Sequence, residues 1–531
     1  MKDYPLDIES VKKIGVKYWL ENQINWPVNE NVFYSMMKKI QTKYLVRATQ
    51  LNEEEKIFYY ASYKIYNDIL MFSHSLLVLN ELQKKQLTPF YMDKNWYYHD
   101  IMHNSKEVNG VIRKYSSKLY PAFPTNTLLI KYKMRSIYNN IRNKNIFNRL
   151  SNQALSIISK PREIFKEYLR SNLYYSKSIY PFRIYNNKIA LTKNDHNLIQ
   201  KLSQIFIDIL EETLKEYQLN FSENHLSYYI CEFNCFITRI VYLTRCIELY
   251  LLRKKSSPIL VDSLGTTFSR CLSTAARLNN FPVIGAVHGN NFGIHRTISL
   301  AIIDLSLVDT YLTPASSAKK YYEKLVDLYI PRSKIEIINT NTGKYKNLIK
   351  TNRKKYQSNK QIESVMIVEY PLTELRHDNI FAYWPYQLNI MLRIMISVKN
   401  LGKKVYMKRH PDRLKESSLL YKDFCDGQLE EPFEKVYEFA DALFFANITS
   451  TTFIFSLTTN KPILFLDILL KDVWPELHEP LKERCNVIPS WFDDNGQLQY
   501  DEFHLRDALN SKTFTDNKLT FELDSFLVDS Q

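Results

Sequence analysis

KKVYMKRHP at 403–411, EEPFEKVYEFADALFFANITSTTFIFSL at 430–457 and NKPILFLD at 460–467 decide the fold. Lys404-Val405-Tyr406-Met407-Lys408 alternates polar and apolar residues and runs into Arg409-His410-Pro411, which predicts a short strand ending in a cationic, imidazole-bearing turn. Ala442-Leu443-Phe444-Phe445 predicts a second, buried strand. It opens onto the hydroxyl-rich turn Asn447-Ile448-Thr449-Ser450-Thr451-Thr452 and then an apolar helix. Ile463-Leu464-Phe465-Leu466 is a third strand. In an open parallel sheet such strand ends converge on one crevice at the carboxyl edge, where ligands bind. Hydroxyls and free N–H groups at a helix start suit a phosphate, so the expected ligand is phosphorylated, foremost a nucleotide-activated donor.

Working outward, the texture changes at Pro258. Ile259-Leu260-Val261-Asp262-Ser263 predicts a strand and 265–278 a helix, and Pro282-Val283-Ile284-Gly285-Ala286-Val287 is a strand that ends at His288-Gly289-Asn290-Asn291. Thr310-Tyr311-Leu312-Thr313-Pro314 and Ile335-Glu336-Ile337-Ile338-Asn339 repeat the pattern, as strand–helix–strand units of a parallel sheet do. Residues 344–361 are polar and basic, the texture of a linker. A fresh sheet opens at Ser364-Val365-Met366-Ile367-Val368-Glu369, followed by a helix over about 385–401. Before Pro258 helical periodicity dominates. In 196–217, Ile199, Leu202, Phe206, Ile209 and Leu210 fall on one stripe. The expected architecture is α/β, with two parallel-sheet domains and a large helical N-terminal extension or insertion. Its boundaries are a first domain 1–343 with a helical insertion at about 99–255, a linker 344–361, a second domain 362–500, and a tail 501–531 packing back on the first domain.

Composition bounds the function. A chain of 531 residues exceeds one core, and 45% hydrophobic with 24% charged residues is ordinary globular composition. Ten glycines are few, and no Walker or GxGxxG pattern is present, so side chains and helix ends must hold any phosphate. The Tyr and Phe richness, 38 and 29 residues, matches the usage of an AT-rich genome. The net charge of +15 is partly concentrated in 131–149 and in 344–360, a solvated surface or a face for an anionic membrane. No nucleic-acid-binding signature accompanies it, so nucleic acid is not an expected partner. The six cysteines show no CxxC pair, and Cys231 and Cys235 read as small buried hydrophobes on an apolar helix. Reduced thiols and the absence of a signal-like apolar core in MKDYPLDIES predict a cytoplasmic chain. Residues 442–460 are uncharged, but the hydroxyl turn breaks them, so they read as buried rather than membrane-spanning.

Four places carry a family resemblance. Ala286-Val287-His288-Gly289 is similar to a strand-ending His-Gly, and Lys408-Arg409-His410-Pro411 looks like a His-Pro motif. Ala440-Asp441-Ala442-Leu443 with Ser450-Thr451-Thr452 resembles an "AD…SS/ST" donor-phosphate segment. Lys461-Pro462-Ile463-Leu464 resembles the "KP" strand that follows it. Together, over about 258–467, they resemble the bacterial surface-polysaccharide glycosyltransferases of the GT-B fold, near the teichoic-acid polymerase and His-Pro capsule transferase group. The family often has paired serines where this chain has Ser450-Thr451, and Gln where Val287 stands. The resemblance implies two Rossmann-like domains and a metal-independent transfer of a sugar or glycerol phosphate from a cytidine-nucleotide donor. The acceptor it implies is a surface glycan or a lipid-linked sugar.

The chemistry assigns roles to residues. Transfer needs a group to take the acceptor proton and groups to stabilise the leaving phosphate. His288 is the candidate base, with Gly289 and Asn290 on the acceptor side; a histidine satisfied by its own turn is the competing reading. Arg409, His410, Ser450, Thr451, Thr452 and Arg376 are the candidate phosphate contacts, and Glu369, Pro371 and Asn447 line the nucleotide loops. For the hydroxyls of 450–452, helix capping competes and coexists. No DxD pair is present and no cofactor or metal is expected, the nucleotide-sugar being a substrate. The run 131–149 would bring the chain to the inner face of the cytoplasmic membrane. Competing classes are a nucleotide-sugar epimerase of the same fold and a non-catalytic envelope-polysaccharide assembly protein.

Overall fold

The computed structural model describes residues 3–22, 24, 26–92, 152–156, 163–172, 174–179, 189–220, 223–254, 257–287, 293–330, 334–340, 344–353, 361–372, 383–411, 414–417 and 419–510. Strands β1 (Asp3–Pro5) and β2 (Thr88–Phe90) form a small parallel pair at the start. The first large sheet holds β3 (Asn152–Ser156), β4 (Tyr174–Ser178), β5 (Ile259–Val261), β6 (Val283–Ala286), β7 (Thr310–Thr313) and β8 (Glu336–Asn339). They lie in the order β4-β3-β5-β6-β7-β8, every pair parallel.

The second sheet holds β9 (Ser364–Val368), β10 (Lys404–Lys408), β11 (Gly427–Leu429), β12 (Ala442–Phe445), β13 (Ile463–Leu466) and β14 (Asn486–Ile488). Their order is β11-β10-β9-β12-β13-β14, again all parallel. Counted from the lobe's own first strand this is 3-2-1-4-5-6, the doubly wound Rossmann order, and it reverses between β9 and β12. A hairpin of β15 (Ser490–Phe492) and β16 (Leu498–Tyr500) follows, turning at Asp493-Asp494-Asn495-Gly496. The fold is therefore α/β with two parallel sheets, compatible with two Rossmann-like domains.

Parallel strands are covered on both faces, so they read as unbroken apolar runs. β5, β6, β9, β12 and β13 are buried along their whole length. The crossover helix Thr267–Leu278 starts at a Thr266/Ser269 capping box, and Trp384–Asn400 starts with Pro385 in its first turn. The predicted stripe on Lys193–Glu216 is buried as its spacing requires. That helix packs with Glu30–Thr49, Lys64–Lys84 and Glu223–Leu251, and Asp195 on it binds Arg245 at 2.8 Å.

Three expectations change. The described part of 99–255 is not wholly helical, because β3 and β4 lie inside it and belong to the first sheet. Their sequences, NQALS and YYSKS, are short and polar and carry no apolar alternation to announce a strand. The linker begins as a helix, Lys344–Arg353, whose buried Asn352 donates to Thr458 Oγ1 at 2.9 Å. After 501, the helix Glu502–Asn510 packs beside β14 of the second lobe. The basic run 131–149 and the rest of the tail lie outside the described residues. No described helix is long and apolar enough to cross a membrane.

Asp441 sets the amino edge of the second sheet. Its carboxylate accepts from Glu363 N–H, Ser364 N–H and the Ser364 hydroxyl at 3.1, 3.0 and 2.8 Å, which pins β12 to the start of β9. Asp441→Ala should orphan these buried donors and cost about 2–4 kcal/mol by urea unfolding. Asp441→Asn, which keeps an acceptor, should cost clearly less; equal losses would mean that charge rather than donor satisfaction matters.

Candidate functional site

The rim between β9, β10 and β12 is built by register. Val368 pairs with both Lys408 and Phe445, so Glu369, Arg409 and Ala446 leave the sheet on one rung at its carboxyl edge. Two strand spacings separate the outer pair, about 10 Å. The topological reversal falls here, the position where open α/β sheets bind ligands.

Glu369 stands at its centre, buried. Its carboxylate accepts from His410 N–H at 2.7 Å and from the Tyr421 hydroxyl at 3.1 Å, with the Ser417 hydroxyl at 3.5 Å. Burial pushes its carboxyl up to about 7, although these hydrogen bonds and Arg409 pull the other way. The exit of β10 is thus tied to the end of β9, and His410, half-buried, takes its place from that bond. Pro371 is buried directly after this corner.

Arg409 is not offered to solvent. Its guanidinium is buried, donating to Glu430 at 2.6 Å and toward Ser417 at 3.5 Å, while Nε has no partner. Lys408 turns its ammonium back to the Arg409 carbonyl at 2.6 Å, and burial lowers its pKa.

On the other side of β9, Asn447 Oδ1 accepts from Thr449 N–H at 2.8 Å, an Asx turn that fixes the amide orientation. Ser450 is the N-cap of helix Thr451–Leu457, its hydroxyl accepting from Phe453 N–H at 3.2 Å and lying 2.7 Å from Thr452 Oγ1. Thr451 is exposed and Thr452 half-buried. The helix has seven residues, so its dipole is short, and side chains must supply most of any anion contact.

The first lobe closes onto this rim. β6 continues its pairing through Val287, whose N–H meets Leu312 O. The chain returns at Gly293, and residues 293–296 run antiparallel to 471–474. His295 bridges Val473, Arg296 N–H donates to Asp472 O, Trp474 N–H donates to Ile294 O, and the Trp474 indole donates to Gly293 O at 2.7 Å. Lys324 adds an ion pair to Glu476. His295, buried, reaches past this clip to the turn after β12, with Nε2 at 3.2 Å from Ile448 O. Burial pulls its pKa down to about 4, so the ring is neutral at pH 7.

Glu369, Pro371, Arg409, His410, Asn447, Ser450, Thr451 and Thr452 therefore belong to one carboxyl edge. His288, Gly289, Asn290 and Arg376 lie outside the described residues. Among the described residues no group of three His, Cys, Asp or Glu could hold a metal ion. Sequence reasoning missed His295, Ser417 and Tyr421. A two-residue antiparallel contact has no periodicity to read, and the partners of Glu369 come from a segment without strand or motif. Cys231 and Cys235 are exposed, not buried, because the four-residue spacing puts both on the outer stripe of Glu223–Leu251. The chain matches no protein-family model, no curated protein and no solved structure.

The two buried titrations have opposite signs. His295 is lowered from 6.5 to about 4, so its contribution to stability is present above pH 6.5 and is lost as pH falls through 4. The loss amounts to roughly 3 kcal/mol at pH 4. Glu369 is raised from 4.5 to about 7, so its contribution is present below 4.5 and is lost as pH rises through 7. In urea titrations His295→Gln should gain on the wild type by roughly 3 kcal/mol between pH 7 and 4. Parallel curves would mean that the imidazole protonates in place without penalty.

Proposed function

We propose that this chain is a glycosyltransferase. It moves a sugar or glycerol phosphate from a nucleotide-activated donor, foremost a cytidine nucleotide, to a surface-glycan or lipid-linked acceptor. One observation carries the reading. His410 and the 447–452 turn flank the strand-order reversal of the second sheet, and the segment following β6 of the first lobe packs onto that same edge.

The local chemistry favours a phosphorylated ligand over a dinucleotide redox cofactor. The loop after β9, 369–383, contains no glycine, so its backbone cannot wrap a pyrophosphate closely. The end of the second strand, where dinucleotide folds place a ribose-binding acid, carries Arg409 and His410 instead. In the proposed reaction His410 and the hydroxyls of Ser450, Thr451 and Thr452 face the donor phosphates and stabilise the leaving group. His288, which follows β6 in sequence, takes the proton of the acceptor hydroxyl, and Arg376 adds a phosphate contact. The protein works at the cytoplasmic face of the membrane, held there by its basic run.

Thermal unfolding with CMP, CDP, UDP and GDP tests the donor class. A ligand of the folded state at a hundred times its Kd adds about 2.7 kcal/mol, so one cytidine nucleotide should raise Tm by several degrees. His410→Ala should remove that shift. No shift with any of the four sinks the donor site. Release of an epimer or free sugar from donor alone, without acceptor, would instead favour an epimerase.

A further inference from the structure

Helix Glu223–Leu251 presents two thiols one turn apart, Cys231 and Cys235, both exposed. The other cysteines, Cys246, Cys271, Cys425 and Cys485, are buried or half-buried. Cys231 and Cys235 line one open depression of about 580 Å³, with Asn234 between them and Thr238 and Arg239 a turn further on. Burial and then the adjacent Cys231 thiol raise the Cys235 thiol above its ordinary range, so the two sulfurs interact directly. Glu232 adds to the rise and Arg239 opposes it.

The helix decides what the pair can become. Side chains four residues apart have Cβ atoms about 5–6 Å from each other, whereas a disulfide needs about 3.5–4.5 Å. Internal oxidation would therefore require the turn to unwind, and that turn carries Phe233, Phe236 and Ile237 in the core. Two sulfurs at this spacing can instead reach one ion between them, each over a bond of roughly 2.3 Å as in zinc thiolates. Among the described residues no third His, Cys, Asp or Glu completes a metal group there, so the four ligands of a structural zinc are not assembled. Hard cations prefer oxygen ligands. Thiolates alone select a soft ion that is stable with few ligands, and among first-row metals that is Cu(I).

We infer that Cys231 and Cys235 form a two-sulfur binding site for a soft, thiophilic metal ion, foremost Cu(I), on the outer face of helix Glu223–Leu251. The inference goes beyond the transferase reading and does not rest on it. Each thiol gives up its proton as its metal–sulfur bond forms, so uptake of one ion displaces two protons and leaves a bis-thiolate complex. The metal spans one helical turn and fastens it, which adds stability to the folded state. Because protons are displaced, retention strengthens as pH rises toward the thiol range.

The test is an anaerobic titration of the reduced full chain with Cu(I) held by bicinchoninate, a coloured chelator. Wild type should withdraw one equivalent, gain in Tm, and show two sulfur neighbours by copper X-ray absorption. Cys231→Ser and Cys235→Ser should each weaken retention roughly hundredfold, the loss of an intramolecular second ligand. Both positions are exposed and serine is nearly isosteric, so the variants should keep the wild-type far-UV circular dichroism. Cys425→Ser, which removes a half-buried thiol elsewhere, should retain copper like the wild type. Equal retention by the wild type and the double serine variant overturns the site. Zn(II) held more tightly than Cu(I) overturns the two-ligand assignment, because it would require further ligands at the pair.

Discussion

A carboxylate held out of water at the end of the central strand organises the rim. Glu369 cannot be solvated there, so it collects an N–H from the exit of β10 and a hydroxyl from Tyr421, with the Ser417 hydroxyl close by. Each bond fixes something sequence-distant: the turn bearing His410, and the segment after it. Arg409 lies buried beside the same group and is itself committed to Glu430. The cationic character read from Lys408-Arg409-His410 is therefore largely spent inside the protein. Lys408 and Arg409 stabilise the corner, and His410 is the member of the trio carried at its half-buried mouth.

The two lobes are joined by more than a covalent link. Segments 293–296 and 471–474 share backbone hydrogen bonds, and the helical layer reaches the second lobe through Trp26, whose ring lies 5.1 Å from Tyr383 and 6.1 Å from Trp384. Phe33 stacks on His74 at 4.0 Å in the same cluster, and Tyr386 donates to Val28 O. The aromatic seat combines ring packing with side-chain hydrogen bonds, Trp26 Nε1 to His74 Nε2 among them, whereas the clip is mainly backbone pairing.

How much of this was legible follows from what leaves a mark on the sequence. β5 to β9, β12 and β13 announce themselves as largely apolar runs bounded by Pro, Gly or charge and β10 by its alternation, and their order implied parallel sheets and a carboxyl-edge crevice. β3 and β4 were unreadable, because a strand with Asn, Gln, Ser and Lys has no alternation and is held by its neighbours. The same holds within the site. His410 and the 447–452 turn stand out because each ends a readable strand. His295 does not, since its partner Ile448 is 153 residues away and offers only a carbonyl. Asp441 was quoted for a motif, yet its carboxylate holds the amino edge of β9, opposite the crevice. A motif letter can thus belong to the scaffold of the site rather than to its surface.

The shortness of helix Thr451–Leu457 bears on how any phosphate would be held. A seven-residue helix aligns few peptide dipoles, and Ser450 already spends its hydroxyl oxygen on Phe453 N–H. Field from the backbone is therefore modest, and formal charge must come from elsewhere. Arg409 is paired with Glu430 and Lys408 turns its ammonium back to the Arg409 carbonyl, so both cations of this corner are already engaged inside the protein.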